Sequence, residues 1–273
     1  MTDSTSARPR KIHLQHLAEM KQRREPITML TCYDAITAHI LEEAGVDTIL
    51  VGDSYGNTLL GYGSTIPVTL DEMVVATASV CRGAKRPLIV ADLPFGSYEE
   101  APAQGVRSAV RLMKAGANAV KLEGGLRQAD TIAKITAAGI PVCAHIGFTP
   151  QSESNLGGPR VQGRGEEQEA RLIDDAVAVQ DAGAFAVVLE MVPAKVAAKI
   201  TKILSIPTIG IGAGAGCDGQ VLVWTDMAGM TTWSPSFSKT FGNVGDALRG
   251  AAADYCNAVK SHQFPDDSHS FLK

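Results

Sequence analysis

At 273 residues, 45% hydrophobic and 20% charged, the chain is long and apolar enough for a sizeable core, which excludes disorder or a coiled coil for its body. The formal net charge of -4, from 25 basic and 29 acidic residues, gives no general attraction to nucleic acid or anionic lipid, and no local basic patch replaces it. Neither partner is expected.

Residues 1–25 lack the apolar core of a signal peptide, and no uninterrupted apolar stretch is long enough to span a bilayer, so a cytoplasmic protein is expected. The cysteines (Cys32, Cys81, Cys143, Cys217 and Cys256) are odd in number and scattered, with no CxxC pair. Neither a disulfide framework nor a structural zinc site is expected from them.

In chain order, KIHLQHLAEMKQRR reads as a helix ahead of the first strand, placed to close the bottom of the fold. Apolar runs then alternate with helical patterns. The runs are PITMLTCYD (Pro26 to Asp34), AGVDTILVGDS from Ala44, RPLIVADLP (Arg86 to Pro94) and AGANAVKLEGG from Ala115. They continue with AAGIPVCAHIG from Ala137, AGAFAVVLEMV from Ala182, IPTIGIGAG (Ile206 to Gly214) and GQVLVWTD (Gly219 to Asp226). Four of them share one grammar: a small residue and glycine end a helix, a short link follows, and an apolar run ends in a polar residue. The runs are too short for helices and rich in Val and Ile, as in parallel strands buried on both faces.

Eight strands with intervening helices in a chain of this length predict a (β/α)8 TIM barrel with an extra N-terminal helix. A doubly wound open sheet is the competing fold. The expected organisation is an N-terminal extension and capping helix over 1–25, the barrel over 26–262 with GDALRGAAADYCNAV as its last helix, and a polar tail over 263–273. One connection is outsized: FTPQSESNLGGPRVQGRGEE after the fifth strand has the length of a functional loop.

Barrel enzymes keep their chemistry at the C-terminal ends of the strands, so the closing residue of each run is the informative one. These are Asp34, then Asp53 with Ser54, Asp92, Lys121 with Glu123, His145 and Glu190. So many carboxylates at one mouth raise one another's pKa unless a cation compensates. With oxygen donors and no thiolate motif, the expected ion is Mg²⁺, held by Asp53 and Asp92 and through water by Glu123. The competing use of such aspartates is to cap the helices that follow.

Lys121 and Glu123 are two apart on a strand and share a face. Lys121 suits an anionic substrate group, with an ion pair to Glu123 as its structural alternative. His145 is expected to contact or position the substrate. Glu190, between AFAVVL and Met191, Val192 and Pro193, is expected to have its pKa raised by apolar surroundings, as suits a general base. The glycines of IGIGAGAGCDGQ form neither GxGxxG nor a Walker A loop, and are expected to admit a ligand close to the backbone.

The ordered motifs TCYDA, VGDS, VADLPFGSY, VKLEGG, AHIGFTPQS, VLEMVP, IPTIGIGAG and CDGQVLV resemble the ketopantoate hydroxymethyltransferase family from Thr31 to Val223, and more loosely through SPSFSK and FPDDSHSF. The resemblance implies transfer of a one-carbon unit from 5,10-methylenetetrahydrofolate to 3-methyl-2-oxobutanoate through a Mg-stabilised enolate. The product would be 2-dehydropantoate, on the way to pantothenate. It implies that Asp53 and Asp92 bind one Mg²⁺ per subunit and the keto acid, that Ser54 and Lys121 bind substrate, that Glu123 belongs to the metal site and that Glu190 accepts the proton. A homo-oligomer, commonly a decamer, is also implied. The chain departs from the family at Trp224, Thr225 and Asp226, where His-Asp is common.

Two other readings compete. An oxo-acid lyase or mutase of the isocitrate lyase and phosphoenolpyruvate mutase group would carry a KKCGH-like loop, which this sequence lacks. A barrel kept only for binding would have lost Asp53, Asp92 or Glu190, and all are present. For the folate, Arg160 and Arg164 in the long loop are candidates to meet a glutamyl carboxylate.

Overall fold

The computed structural model describes residues 10–271. Helix α1 (Leu14–Arg23) leads into β1 (Ile27–Thr31), α2 (Ala35–Glu43), β2 (Thr48–Val51), the short α3 (Tyr55–Thr58), α4 (Leu70–Gly83) and β3 (Leu88–Asp92). There follow α5 (Pro102–Ala115), β4 (Ala119–Glu123), α6 (Ala129–Ala137), β5 (Val142–Gly147), α7 (Glu153–Leu156) and α8 (Glu166–Asp181). The barrel ends with β6 (Ala186–Glu190), α9 (Ala194–Ile203), β7 (Thr208–Ile211) and β8 (Gly219–Leu222). The strands close in sequence order, every pair parallel, with β8 returning to β1. This is the barrel that the repeating strand grammar predicts.

The helix ends follow from the sequence. Thr69 and Glu72 form a reciprocal capping box at α4, with Glu72 N donating to Thr69 Oγ1 at 3.2 Å and Thr69 N to Glu72 Oε2 at 2.7 Å. Pro102 opens α5, and Gly116, at φ 114°, closes it in the left-handed conformation that glycine adopts without a Cβ clash.

Alternation along the strands sorts the core into two layers. Leu88 and Val90 of β3, Ala119 of β4, Cys143 of β5, and Ala186 and Val188 of β6 pack together inside the barrel. Ile89, Ala91, Val120, Leu122, Ala144, Val187 and Leu189 pack outward against the helices. Counting by two along the inner rows reaches Asp92, Lys121, Glu123, His145 and Glu190, so the pleat itself aims these side chains into the barrel.

Leu17 and Met20 of α1 belong to the inner layer. Helix α1 and its lead-in are tied to segments just before the strands: Ile12 N donates to Arg86 O at 2.8 Å, and Lys21 pairs with Asp218 at 2.7 Å. The helix therefore plugs the end opposite the strand C-termini and leaves the mouth clear.

No helix separates β7 from β8. The glycines between them serve packing: a Cβ on Gly214 would lie 2.5 Å from Ala194 Cβ and one on Gly216 2.7 Å from Ala198 Cβ. Ala194 and Ala198 are one turn apart on α9, so close approach to a helix accounts for Gly214 and Gly216.

The chain divides into two compact units after Val223. The second contains α10 (Trp224–Met227) and α11 (Val244–Lys260), and no residue of α11 is buried. Among the described residues, no helix is long and apolar enough to cross a membrane.

Gly83 tests this packing with a sign opposite to the usual rule. Alanine normally stabilises a helical glycine site by about 1 kcal/mol. Here a Cβ would sit 2.1 Å from the backbone oxygen of Ala35. Gly83→Ala should destabilise by about 1–3 kcal/mol, read as a lowered melting temperature; an unchanged or raised value would show that the close contact between α4 and α2 yields easily.

Candidate active site

Sheet register builds the mouth. Asp92 lies opposite Lys121 in the pairing of β3 with β4, Glu123 opposite His145 in β4 with β5, and Gly147 opposite Glu190 in β5 with β6. Lys121 Nζ is 3.0 Å from Asp92 Oδ1 and 3.4 Å from His145 Nδ1. The imidazole bridges two acids, with Nδ1 3.4 Å from Glu123 Oε1 and Nε2 3.2 Å from Glu190 Oε2. Asp53, just past β2, donates its backbone N–H to Asp92 Oδ2 at 3.0 Å. Ser54 Oγ lies 2.8 Å from the hydroxyl of Tyr33, which donates to Thr31 Oγ1 at 2.9 Å.

Two neutral side chains that the strand-end pattern misses complete the group. Gln151, on the long loop after β5, donates its amide to Asp53 Oδ2 at 2.8 Å and its backbone N–H to Glu123 Oε2 at 3.0 Å. Tyr98 donates to Gln151 Oε1 at 2.5 Å. Nothing in composition or period marks either residue, although Tyr98 closes the motif VADLPFGSY and Gln151 lies in AHIGFTPQS.

Asp53, Ser54, Asp92, Lys121, Glu123, His145 and Glu190 thus come together. Asp34 does not join them: its Oδ1 accepts the N–H of Thr37 at 2.8 Å and caps α2. Arg160 and Arg164 are exposed. A cavity of about 540 Å³ adjoins the segments after Glu123 and Gln151, and the arginines lining it are Arg127 and Arg171 instead.

The electrostatics are set by burial. Burial, then Asp92 and Glu123, push the Asp53 carboxyl up to about 8. Burial also raises Asp92, against the pull of Lys121. Burial would raise Glu123 as well, but His145, Lys121 and the Gln151 N–H outweigh it and hold that carboxyl below its ordinary value. Burial would lower Lys121, yet Asp92, Glu123 and Asp53 together hold it above its usual value. His145 is pulled down by burial and by Lys121, but Glu123 and Glu190 carry it up to about 9, so its imidazole is charged at neutral pH.

Glu190 differs from the sequence expectation of an apolar pocket. Its carboxylate faces the His145 imidazole, and its side chain is 16% exposed against 2% for Glu123. The strand ends there, and Met191 follows in the left-handed region at φ 49°.

The donor set suits a hard divalent cation. Among the described residues no three His, Cys, Asp or Glu side chains are grouped as a ready-made cage. Mg²⁺ needs none, since it usually takes one or two carboxylates and keeps waters or substrate oxygens. Asp92 Oδ1 is buried without a well-aligned hydrogen bond despite its ion pair, and burial beside Asp92 and Glu123 raises the Asp53 carboxyl, a penalty on its charge that a cation would relieve. Both observations fit an ion held by these two aspartates. Both Glu123 oxygens already accept hydrogen bonds or ion pairs, which suits it to act through water.

A family model described as ketopantoate hydroxymethyltransferase matches residues 11–267. A 3-methyl-2-oxobutanoate hydroxymethyltransferase of Rhodococcus jostii is 58% identical over 96% of this chain and 91% of its own. The enzyme of the same name from Leifsonia xyli is 54% identical over 97% of this chain and 96% of its own. Among solved structures, a phosphonopyruvate hydrolase in complex with oxalate and Mg²⁺ superposes at TM-score 0.61 with 12% identity, over 94% of this chain and 92% of that one. A 2,3-dimethylmalate lyase of the phosphoenolpyruvate mutase and isocitrate lyase superfamily gives 0.58 with 16% identity, over 95% and 92%. At those identities the likeness shows the barrel fold alone. On the match of sequence and family model over nearly its whole length, the chain belongs to the ketopantoate hydroxymethyltransferase family of enzymes.

Proposed function

We propose that the chain transfers a hydroxymethyl unit from 5,10-methylenetetrahydrofolate to 3-methyl-2-oxobutanoate, giving 2-dehydropantoate for pantothenate biosynthesis in the cytoplasm. The observation that carries this reading is the separation of acids at the mouth. Asp53 is linked to Asp92 through its backbone N–H and to Glu123 through Gln151, while Glu190 stands apart on the far side of His145.

In this reading Asp53 and Asp92 hold one Mg²⁺, with Glu123 behind bound water. The ion would act as a Lewis acid on the 2-oxo group of the keto acid and so acidify the hydrogen at C3. Lys121, charged and buried, pairs with the substrate carboxylate. The Ser54 hydroxyl, 2.8 Å from that of Tyr33, adds a hydrogen bond once its proton turns from Tyr33 to the substrate. His145 orients the Glu190 carboxylate, and Glu190 removes the C3 proton. C3 then attacks the methylene carbon of the folate, and water supplies the hydroxyl as tetrahydrofolate leaves. No protein nucleophile is required.

A homo-oligomer belongs to the same proposal. Val244, Leu248, Tyr255 and Val259 recur at helical spacing along α11 and are all exposed, which supports burial of that stripe against another copy.

The base is tested by deuterium exchange at C3 of 3-methyl-2-oxobutanoate in D₂O with Mg²⁺ and no folate. Exchange should require the ion and fall about 10²–10⁴-fold in Glu190→Gln; undiminished exchange in that variant would remove Glu190 from the role. Mass detection of 2-dehydropantoate after adding the folate then separates a transferase from a lyase.

The ion is tested through pH. Asp53, at about 8 when folded against an ordinary 3.8, keeps a proton that the unfolded chain has released, so its contribution to stability falls as pH rises between those values. Mg²⁺ binds the ionised form and reverses that loss. The Mg²⁺-induced rise in melting temperature should therefore be larger at pH 8 than at pH 6, and Asp53→Asn should flatten the difference. A pH-independent rise in the wild type would contradict the assignment.

A further inference from the structure

Gln151 has an unusual position for a loop residue. It lies in a single turn, Pro150–Ser152, at the start of the long connection after β5, yet it is only 6% exposed. All of its N–H donors are used, and its amide oxygen accepts a hydrogen bond. The amide nitrogen donates to Asp53 Oδ2 at 2.8 Å and to the Leu93 carbonyl at 3.0 Å; the amide oxygen accepts from the Tyr98 hydroxyl at 2.5 Å; and the backbone N–H donates to Glu123 Oε2 at 3.0 Å. Tyr98, itself 2% exposed, also accepts the backbone N–H of Glu123 at 3.2 Å.

An amide can present either end to a carboxylate, and its neighbours decide which. Here the Leu93 carbonyl admits only the nitrogen and the Tyr98 hydroxyl favours the oxygen, so the donor end is directed at Asp53. That contact uses one oxygen of Asp53 and leaves the other to face an ion. The same residue reaches Glu123 through its main chain, so two acids from different strands are held at a fixed separation by one loop residue.

We propose that Gln151 is a positioning residue of the cation site, with Tyr98 fixing its amide, and that seating of the long loop is thereby coupled to assembly of that site. The inference rests on the placement of Mg²⁺ given above. Outer groups of this kind orient metal ligands, and their loss typically costs about 10–100-fold in metal affinity.

The test is calorimetric titration of the full-length protein with Mg²⁺ alone, at one pH, with melting temperature recorded for each variant. Gln151→Met keeps the length of the side chain and fills its space but has no donor, so it should weaken Mg²⁺ binding about 10–100-fold. Tyr98→Phe removes one hydroxyl and should weaken binding severalfold in the wild type and by less in the Gln151→Met background, because Tyr98 acts largely through Gln151. A residue that only packs would change the melting temperature and leave the affinity unmoved, so wild-type affinity in folded Gln151→Met overturns the inference. If that variant does not fold, unchanged affinity in Tyr98→Phe overturns it instead. Absence of Mg²⁺ binding by the wild type would remove the cation site itself and this inference with it.

Discussion

Burial of three carboxylates beside one lysine and one histidine is the constraint around which the mouth of this barrel is organised. Asp53, Asp92 and Glu123 are nearly inaccessible to water, where an unpaired charge is costly. The parallel register limits that cost by setting Asp92 against Lys121 and Glu123 against His145. It does not remove it, because Asp53 faces an amide and no cation. The raised Asp53 carboxyl marks the remaining imbalance, and a divalent ion is the simplest group that would relieve it.

That constraint separates the acids by environment. Glu123 is held ionised by His145, Lys121 and the Gln151 N–H, whereas Glu190 reaches the cluster only through the imidazole and keeps more contact with solvent. In the proposed function the first group would hold charge and the second would move a proton. Enzymes commonly assign such roles by surroundings and not by residue type. The histidine between them serves both groups, which explains why a residue that reads as a lone polar position in an apolar strand is fully enclosed.

Much of this was legible in the sequence because parallel strands buried on both faces leave a plain record. The apolar runs end in polar or charged residues, and the alternation of Lys121 and Glu123 about Leu122 puts those two on one face, which the structure shows to be the inner one. The same record includes Asp34 among the strand ends, and the structure shows its use as the cap of α2. Gln151 and Tyr98 left no comparable trace, since they are neutral and come from loops, where neither period nor strand end fixes direction. Glu190 was readable as a strand end but not as the partner of His145, because that contact runs across β5 and β6 and depends on the register. The glycines after β7 imply a close approach, but the sequence does not say that Gly214 and Gly216 meet Ala194 and Ala198 of α9.

The central claim is that a cation replaces the proton on Asp53. It is tested most directly by titrating the protein with Mg²⁺ near pH 7 in buffers of different ionisation enthalpy and counting the protons released per ion bound. With Asp53 at about 8, close to one proton should leave for each Mg²⁺ that binds. Saturable binding with no proton release would show that the ion does not displace a proton from this carboxylate, and would contradict the account.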